Sequence, residues 1–196
     1  RRLKYMLEKL RKAMKTADID MLLIPSADPH GSEYPEEYFK ARKHFSGFTG
    51  SAGTLLIWQG GAGLWTDGRY FIQAARQLEG SGIDLFKMRE PGVPTVNEFI
   101  AENIKGGVLG ADLRTISASE GMELEKGGAI LKDCRSLIDG CWEGRPELSR
   151  EPAYVLPMEL AGVSSSDKLG AVRAEMAKCD ANACIFTDLA DIAWLF

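Results

Sequence analysis

The sequence predicts an α/β protein, a mixed β-sheet flanked by helices, followed by the start of a second domain of similar architecture. Three observations carry this. Short apolar runs alternate with segments of helical period; a glycine pair joins two of the runs directly, as an antiparallel pair requires; and a proline-rich, charged stretch interrupts the alternation once before it resumes. The 196 residues allow one complete core and a fraction of a second.

The first element is a helix over about 2–17, with Leu3, Met6, Leu7, Leu10 and Met14 on one stripe. The same stripe, broken by Glu8, Lys9, Arg11 and Lys12, is not expected to serve as a secretory signal, whose apolar core is continuous. The run Asp20-Met21-Leu22-Leu23-Ile24 is a buried strand ended by Pro25. SADPHGSEYPEE (26–37) has no period and is dense in turn-formers, hence a surface loop, and a short helix follows over about 36–45. The runs 54–58 and 63–67 form a hairpin around Gln59-Gly60-Gly61-Ala62, where the glycines are expected to supply positive φ. Tyr70, Phe71, Ala74, Ala75 and Leu78 return to a helical period, and 84–88 is a strand.

Thr95 and Glu98 open a helix as a capping box, and Ser117 with Glu120 is expected to repeat the device. A strand lies at 108–112 between them, and Ser136-Leu137-Ile138 is expected to be the last strand of a domain covering 1–141. Three prolines within 142–157 mark a linker, and 158–196 restarts the pattern: a helix over 166–179, a strand over 183–186, and a helix begun at Asp188. Ending on Trp194-Leu195-Phe196, an apolar triplet that would seek a partner, the chain is expected to be cut within its second domain.

Composition narrows the function. With 24 basic and 28 acidic residues interspersed, the net charge of −4 gives no footprint for nucleic acid, and no apolar run is long enough to cross a membrane. Cys134, Cys141, Cys179 and Cys184 lack zinc-site spacing and are expected to be free thiols in a reducing, cytoplasmic setting.

Catalytic motifs fail residue by residue. GFTGSAGT has no lysine for a phosphate loop, and Thr49 stands where a nucleophile elbow needs glycine. Gly61-Ala62-Gly63 meets Thr66 where the dinucleotide fingerprint needs a third glycine. Only His30 and His44 exist; His44 beside Phe45 reads as a packed histidine, and Asp28, His30 and Glu33 as a polar loop. No catalytic and no metal-binding residue is assigned.

Three segments in order, IPSADPHGSEY, FSGFTGSAGT and LWTDGRYFIQAARQ, resemble the opening domain of the three-domain Xaa-Pro aminopeptidases of the creatinase and prolidase superfamily. GVSSSDKLGAVRAEM and TDLADIAWLF resemble the start of that family's second domain. The resemblance implies a creatinase N-terminal, ribonuclease-H-like fold in an enzyme, likewise a homodimer, that releases a residue preceding proline. It also implies a carboxy-terminal pita-bread domain, absent from this sequence, carrying two divalent metal ions, usually Mn2+, to attack the proline-containing peptide. The chain alone would then bind no cofactor and hydrolyse nothing, its part being to shape the substrate cleft.

From the residues alone, Arg69 pairs with Asp67 or caps local carbonyls. The resemblance implies instead that Arg69 contacts the peptide substrate, with Asp67 orienting it and His30 on a loop lining the cleft. Trp65 and Phe71 read as core. Two competing functions share the scaffold: a non-enzymatic peptide-binding module, and an amidinohydrolase, in which IPSADPHGSEY is not expected.

Overall fold

A computed structural model describes residues 2–196, and only Arg1 lies outside them. The chain divides into two compact units, 1–148 and 149–196. The first unit is a six-stranded mixed sheet between two layers of helices. Its elements are α1 (Arg2–Thr16), β1 (Met21–Pro25), α2 (Ala41–Ser46), β2 (Thr54–Trp58), β3 (Gly61–Thr66), α3 (Phe71–Leu78), β4 (Asp84–Lys87), α4 (Val96–Ile104), β5 (Val108–Ala111), α5 (Ala118–Lys126), β6 (Ile130–Asp133) and α6 (Arg135–Cys141).

The strand order is β4-β3-β2-β1-β5-β6. Only β2 runs against the rest, since it is antiparallel to both β1 and β3, whereas β1–β5, β5–β6 and β3–β4 are parallel. Five strands therefore end at one edge, joined there by the start of β2. Strand alternation sends residues of one strand to opposite faces. Leu22 and Ile24 pack with Leu55, Ile57 and Leu64 beneath α1, α2, α3 and α6, while Met21, Leu23, Leu56 and Trp65 pack beneath α4 and α5.

In the first unit three expectations need correction. The hairpin turn is shorter than the glycine pair suggested: Trp58 faces Gly61 across it, and neither Gly60 nor Gly61 is left-handed. The glycine at 61 makes room for an indole, because a Cβ there would sit 2.7 Å from Trp58 Cζ2. The capping device is reciprocal at Thr95, where both bonds form, but at Ser117 only the Glu120 amide donates to the hydroxyl. The last strand is β6; Ser136, Leu137 and Ile138 lie in α6, since Cys134, Ile138 and Cys141 recur at helical spacing and point into the core.

Trp142, the first residue of the expected linker, is buried and stacks on His44 with ring centroids 4.4 Å apart. Arg145 lies 3.7 Å over the Tyr38 ring and donates twice to the Tyr38 carbonyl.

The second unit contains α7 (Met158–Ala161), α8 (Ser165–Lys178) and α9 (Leu189–Leu195). Ser164 and Asp188 cap α8 and α9, and Lys168 Nζ on α8 donates to the Trp194 carbonyl on α9 at 2.6 Å. The strand expected at 183–186 does not form, because no neighbouring strand exists in this unit to supply a ladder.

Candidate functional site

The three segments FSGFTGSAGT, LWTDGRYFIQAARQ and IPSADPHGSEY meet at the edge where the five parallel strands end, the usual place for a ligand in an α/β sheet. α2 ends at Gly47, left-handed at φ 74°, which turns the chain into the glycine-rich loop. Gly50 is there for contact, since a Cβ would lie 2.3 Å from Phe48 Cζ and 2.8 Å from Tyr70 Cδ1. The loop is fastened to the helix that follows β3. Thr49 accepts from Gln73 and Gln77, both at 2.9 Å, and Ser51 Oγ bonds Tyr70 Oη at 2.9 Å. It is fastened to β1 as well, through Ser26 Oγ donating to the Gly53 carbonyl at 2.7 Å.

Arg42 holds the loop from below. It is 6% exposed and donates to Ser26 Oγ at 2.8 Å, the Phe48 carbonyl at 2.7 Å and the Gly50 carbonyl at 2.5 Å. Burial pulls its pKa down to about 10, so it stays charged at neutral pH. Nothing in the sequence singles it out except its place just before a glycine-rich loop whose turned carbonyls need donors.

Arg69 sits one turn beyond β3. Asp67 Oδ1 accepts from the Arg69 amide at 3.0 Å and from Nε at 2.9 Å, while Oδ2 accepts from Nη2 at 2.9 Å. The side chain is still 63% exposed, and among the described residues Nη1 makes no hydrogen bond. Hydrogen bonding from Arg69 holds Asp67 below its ordinary pKa, and Asp67 in turn raises that of Arg69. The structure thus brings Arg69 and Asp67 together as a preformed fork at the edge.

The same device recurs twice. Asp112 accepts from the amide, Nε and Nη2 of Arg114 after β5, and Asp133 from Nε and Nη2 of Arg135 after β6. The signal was legible as Asp-x-Arg after three short apolar runs, and sequence reasoning used only the first.

His30 stands apart. It is exposed on the loop after β1, and its amide, with that of Ser32, donates to Asp28 Oδ1. Burial opposes ionisation of Asp28, yet these bonds hold its pKa below the ordinary value. Later residues of the loop, Glu33, Tyr34 and Pro35, line a cup together with Phe39, Lys40 and Lys43; His30 does not. Trp65 is buried against Phe86 as expected, whereas Phe71 is half-buried.

A dinuclear metal centre needs converging carboxylates and imidazole. Among the described residues no three His, Cys, Asp or Glu side chains converge, and the edge aspartates at 67, 112 and 133 are each engaged by arginine. These residues do not fit such a centre. All four cysteines are free thiols.

Comparison with known proteins gives a consistent picture. A model of the creatinase/prolidase N-terminal domain matches residues 6–141, and a second model of the same description matches 144–196. A probable Xaa-Pro aminopeptidase P of Coccidioides posadasii is 41% identical over 97% of this chain, and one of Tuber melanosporum 40% identical over the same share. The chain spans about a third of the length of each, 32%. Among solved structures, the X-prolyl aminopeptidase of Caenorhabditis elegans, described as a cytosolic enzyme with a di-nuclear active site, superimposes with a TM-score of 0.83 at 32% identity, over 98% of this chain and 34% of that one.

Proposed function

The chain belongs to the creatinase/prolidase N-terminal domain family, and from that premise we propose that it is the non-catalytic, amino-terminal part of a cytosolic, two-metal Xaa-Pro aminopeptidase, in which it walls the substrate cleft and holds the peptide through Arg69. The observation that carries this is the exposed Asp67–Arg69 fork, fixed at the carboxyl edge of the sheet beside a lined cup.

The chemistry follows from that fork. A guanidinium is planar, and with two nitrogens pinned by Asp67 its orientation is set before a peptide arrives, so little side-chain freedom is lost on binding. The remaining nitrogen, Nη1, with its two N–H groups suits a peptide carbonyl or carboxylate oxygen. Asp67 serves as the orienting group, and Tyr70, next to Arg69, is tied to the glycine-rich loop by its hydroxyl bond to Ser51. In this reading the metals, Mn2+ by preference, are held by residues outside this chain, which also supply the groups that attack the bond before proline.

The full-length protein, loaded with Mn2+ and offered Xaa-Pro peptides, is expected to release the residue before proline and to lose that activity on chelation. The 196-residue chain alone is expected to show neither turnover nor stoichiometric manganese. Release by the chain alone, or a full-length protein that binds such peptides without cleaving them, would refute the proposal.

A further inference from the structure

Arg42 is a buried cation without a counter-charge. All three of its partners are neutral oxygens, and no carboxylate reaches it among the described residues. A buried guanidinium held only by dipoles favours an anion placed near it. Arg42 also forms part of the lining of the cup, a cavity of about 180 Å3. That is below the roughly 300–1,000 Å3 of a whole small-molecule site, so the cup suits one residue rather than an entire ligand.

The cup has two characters. Pro25, Tyr34, Pro35 and Phe39 make an apolar wall, with Tyr34 left 80% exposed. Lys40 and Lys43 line it as well, and both are reached by Glu37, at 2.5 and 3.7 Å. Counting every charge in the lining and its direct partners, three cations (Lys40, Arg42, Lys43) are set against two carboxylates (Glu33, Glu37). Glu33 also attracts the Arg69 guanidinium, and Ser51 of the lining bonds Tyr70, the neighbour of Arg69, so the cup adjoins the fork.

We infer that this cup is a subsite for the carboxyl-terminal residue of a short peptide, its apolar side chain against the wall of Pro25, Tyr34, Pro35 and Phe39 and its free carboxylate towards Lys40, Lys43 and Arg42. The inference deepens the proposal that Arg69 holds the same peptide further upstream, and rests on it for the identity of the ligand. It selects short peptides ending in an apolar residue with a free carboxylate.

The test uses N-acetyl-leucine, which offers the side chain and carboxylate but nothing upstream for Arg69, titrated into the 15N-labelled chain, with N-acetyl-leucinamide as the uncharged control. Saturable amide shifts are expected at Glu33, Tyr34, 39–43 and 49–51, with N-acetyl-leucinamide binding roughly fivefold more weakly. In a Lys40→Gln, Lys43→Gln chain, checked for folding by its unchanged spectrum elsewhere, that preference should narrow to about twofold. Shifts that do not saturate or lie elsewhere, equal binding of acid and amide, or a preference unchanged in the double variant would each overturn the subsite. The tripeptide Gly-Pro-Leu separates this from the reading it rests on. If N-acetyl-leucine fills the cup but Gly-Pro-Leu binds equally to the parent and Arg69→Ala chains, the Arg69 contact fails while the subsite stands.

Discussion

Arg42 and Arg69 carry the same group to opposite ends. The first is sunk among backbone carbonyls and shapes the loop; the second lies exposed, tethered by a carboxylate, and is available to a ligand. Arg69→Lys in the full-length protein is therefore expected to recover little of the function lost in Arg69→Ala, because an ammonium cannot engage both Asp67 oxygens and a peptide oxygen in one plane; the check is kcat/KM for both variants. Arg69 and Asp67 were legible because they sit in a motif. Arg42 was not, because its partners are main-chain oxygens, which carry no letter in the sequence. His44 makes a separate point: burial, with Arg2 nearby, pulls its pKa down to about 4. Above pH 6.5 it is neutral in both states. As pH falls from 6.5 towards 4 the unfolded chain takes up a proton that the folded chain refuses, so stability should fall across that window and level off below it, by on the order of 1–2 kcal/mol after allowance for partial exposure. Denaturant titrations of the parent and His44→Gln chains should diverge only there.

At the scale of elements, close packing decides several positions that propensity does not. Gly63 in β3 faces the stacked rings of Trp65 and Phe86, and a Cβ would lie 2.6 Å from Phe86 Cε2. Gly63→Ala is expected to cost roughly 1–3 kcal/mol as the rings are displaced. Gly140, in α6 with open space around it, should gain roughly 0.5–1 kcal/mol on the same change. Urea titration of both variants checks the contrast. The hairpin and helices α1, α3 and α4 were legible because their periods and the Thr95 cap are local, whereas α6 was not, since Ser136-Leu137-Ile138 reads as a short strand. The turn at 59–60 and the strand β6 were not. The Gly61 requirement comes from an indole folded across the hairpin, and β6 is an edge strand whose Ile130 stays exposed, so it shows no buried alternation.

For the molecule as a whole, the mixed sheet gathers three separate segments at one edge, and the three Asp-x-Arg forks lie along it. The family was legible in those segments; the cup was not, because it depends on how the 26–40 loop folds back over α2. Trp142 and Arg145 fasten the chain as far as the first unit extends, and 146–157 is exposed throughout. Trypsin is accordingly expected to cut first after Arg150, leaving a resistant product of the first unit, and early cleavage within 1–140 would contradict that. The central claim is that this unit grips the substrate of an Xaa-Pro aminopeptidase through Arg69. Its most direct test is kcat/KM for an Xaa-Pro tripeptide, measured with the melting temperature, in full-length parent and Arg69→Ala proteins. The expected result is a fall in kcat/KM of roughly 10- to 150-fold at nearly unchanged melting temperature; an unchanged kcat/KM with a melting temperature lowered by several degrees would make Arg69 a structural residue and contradict the account.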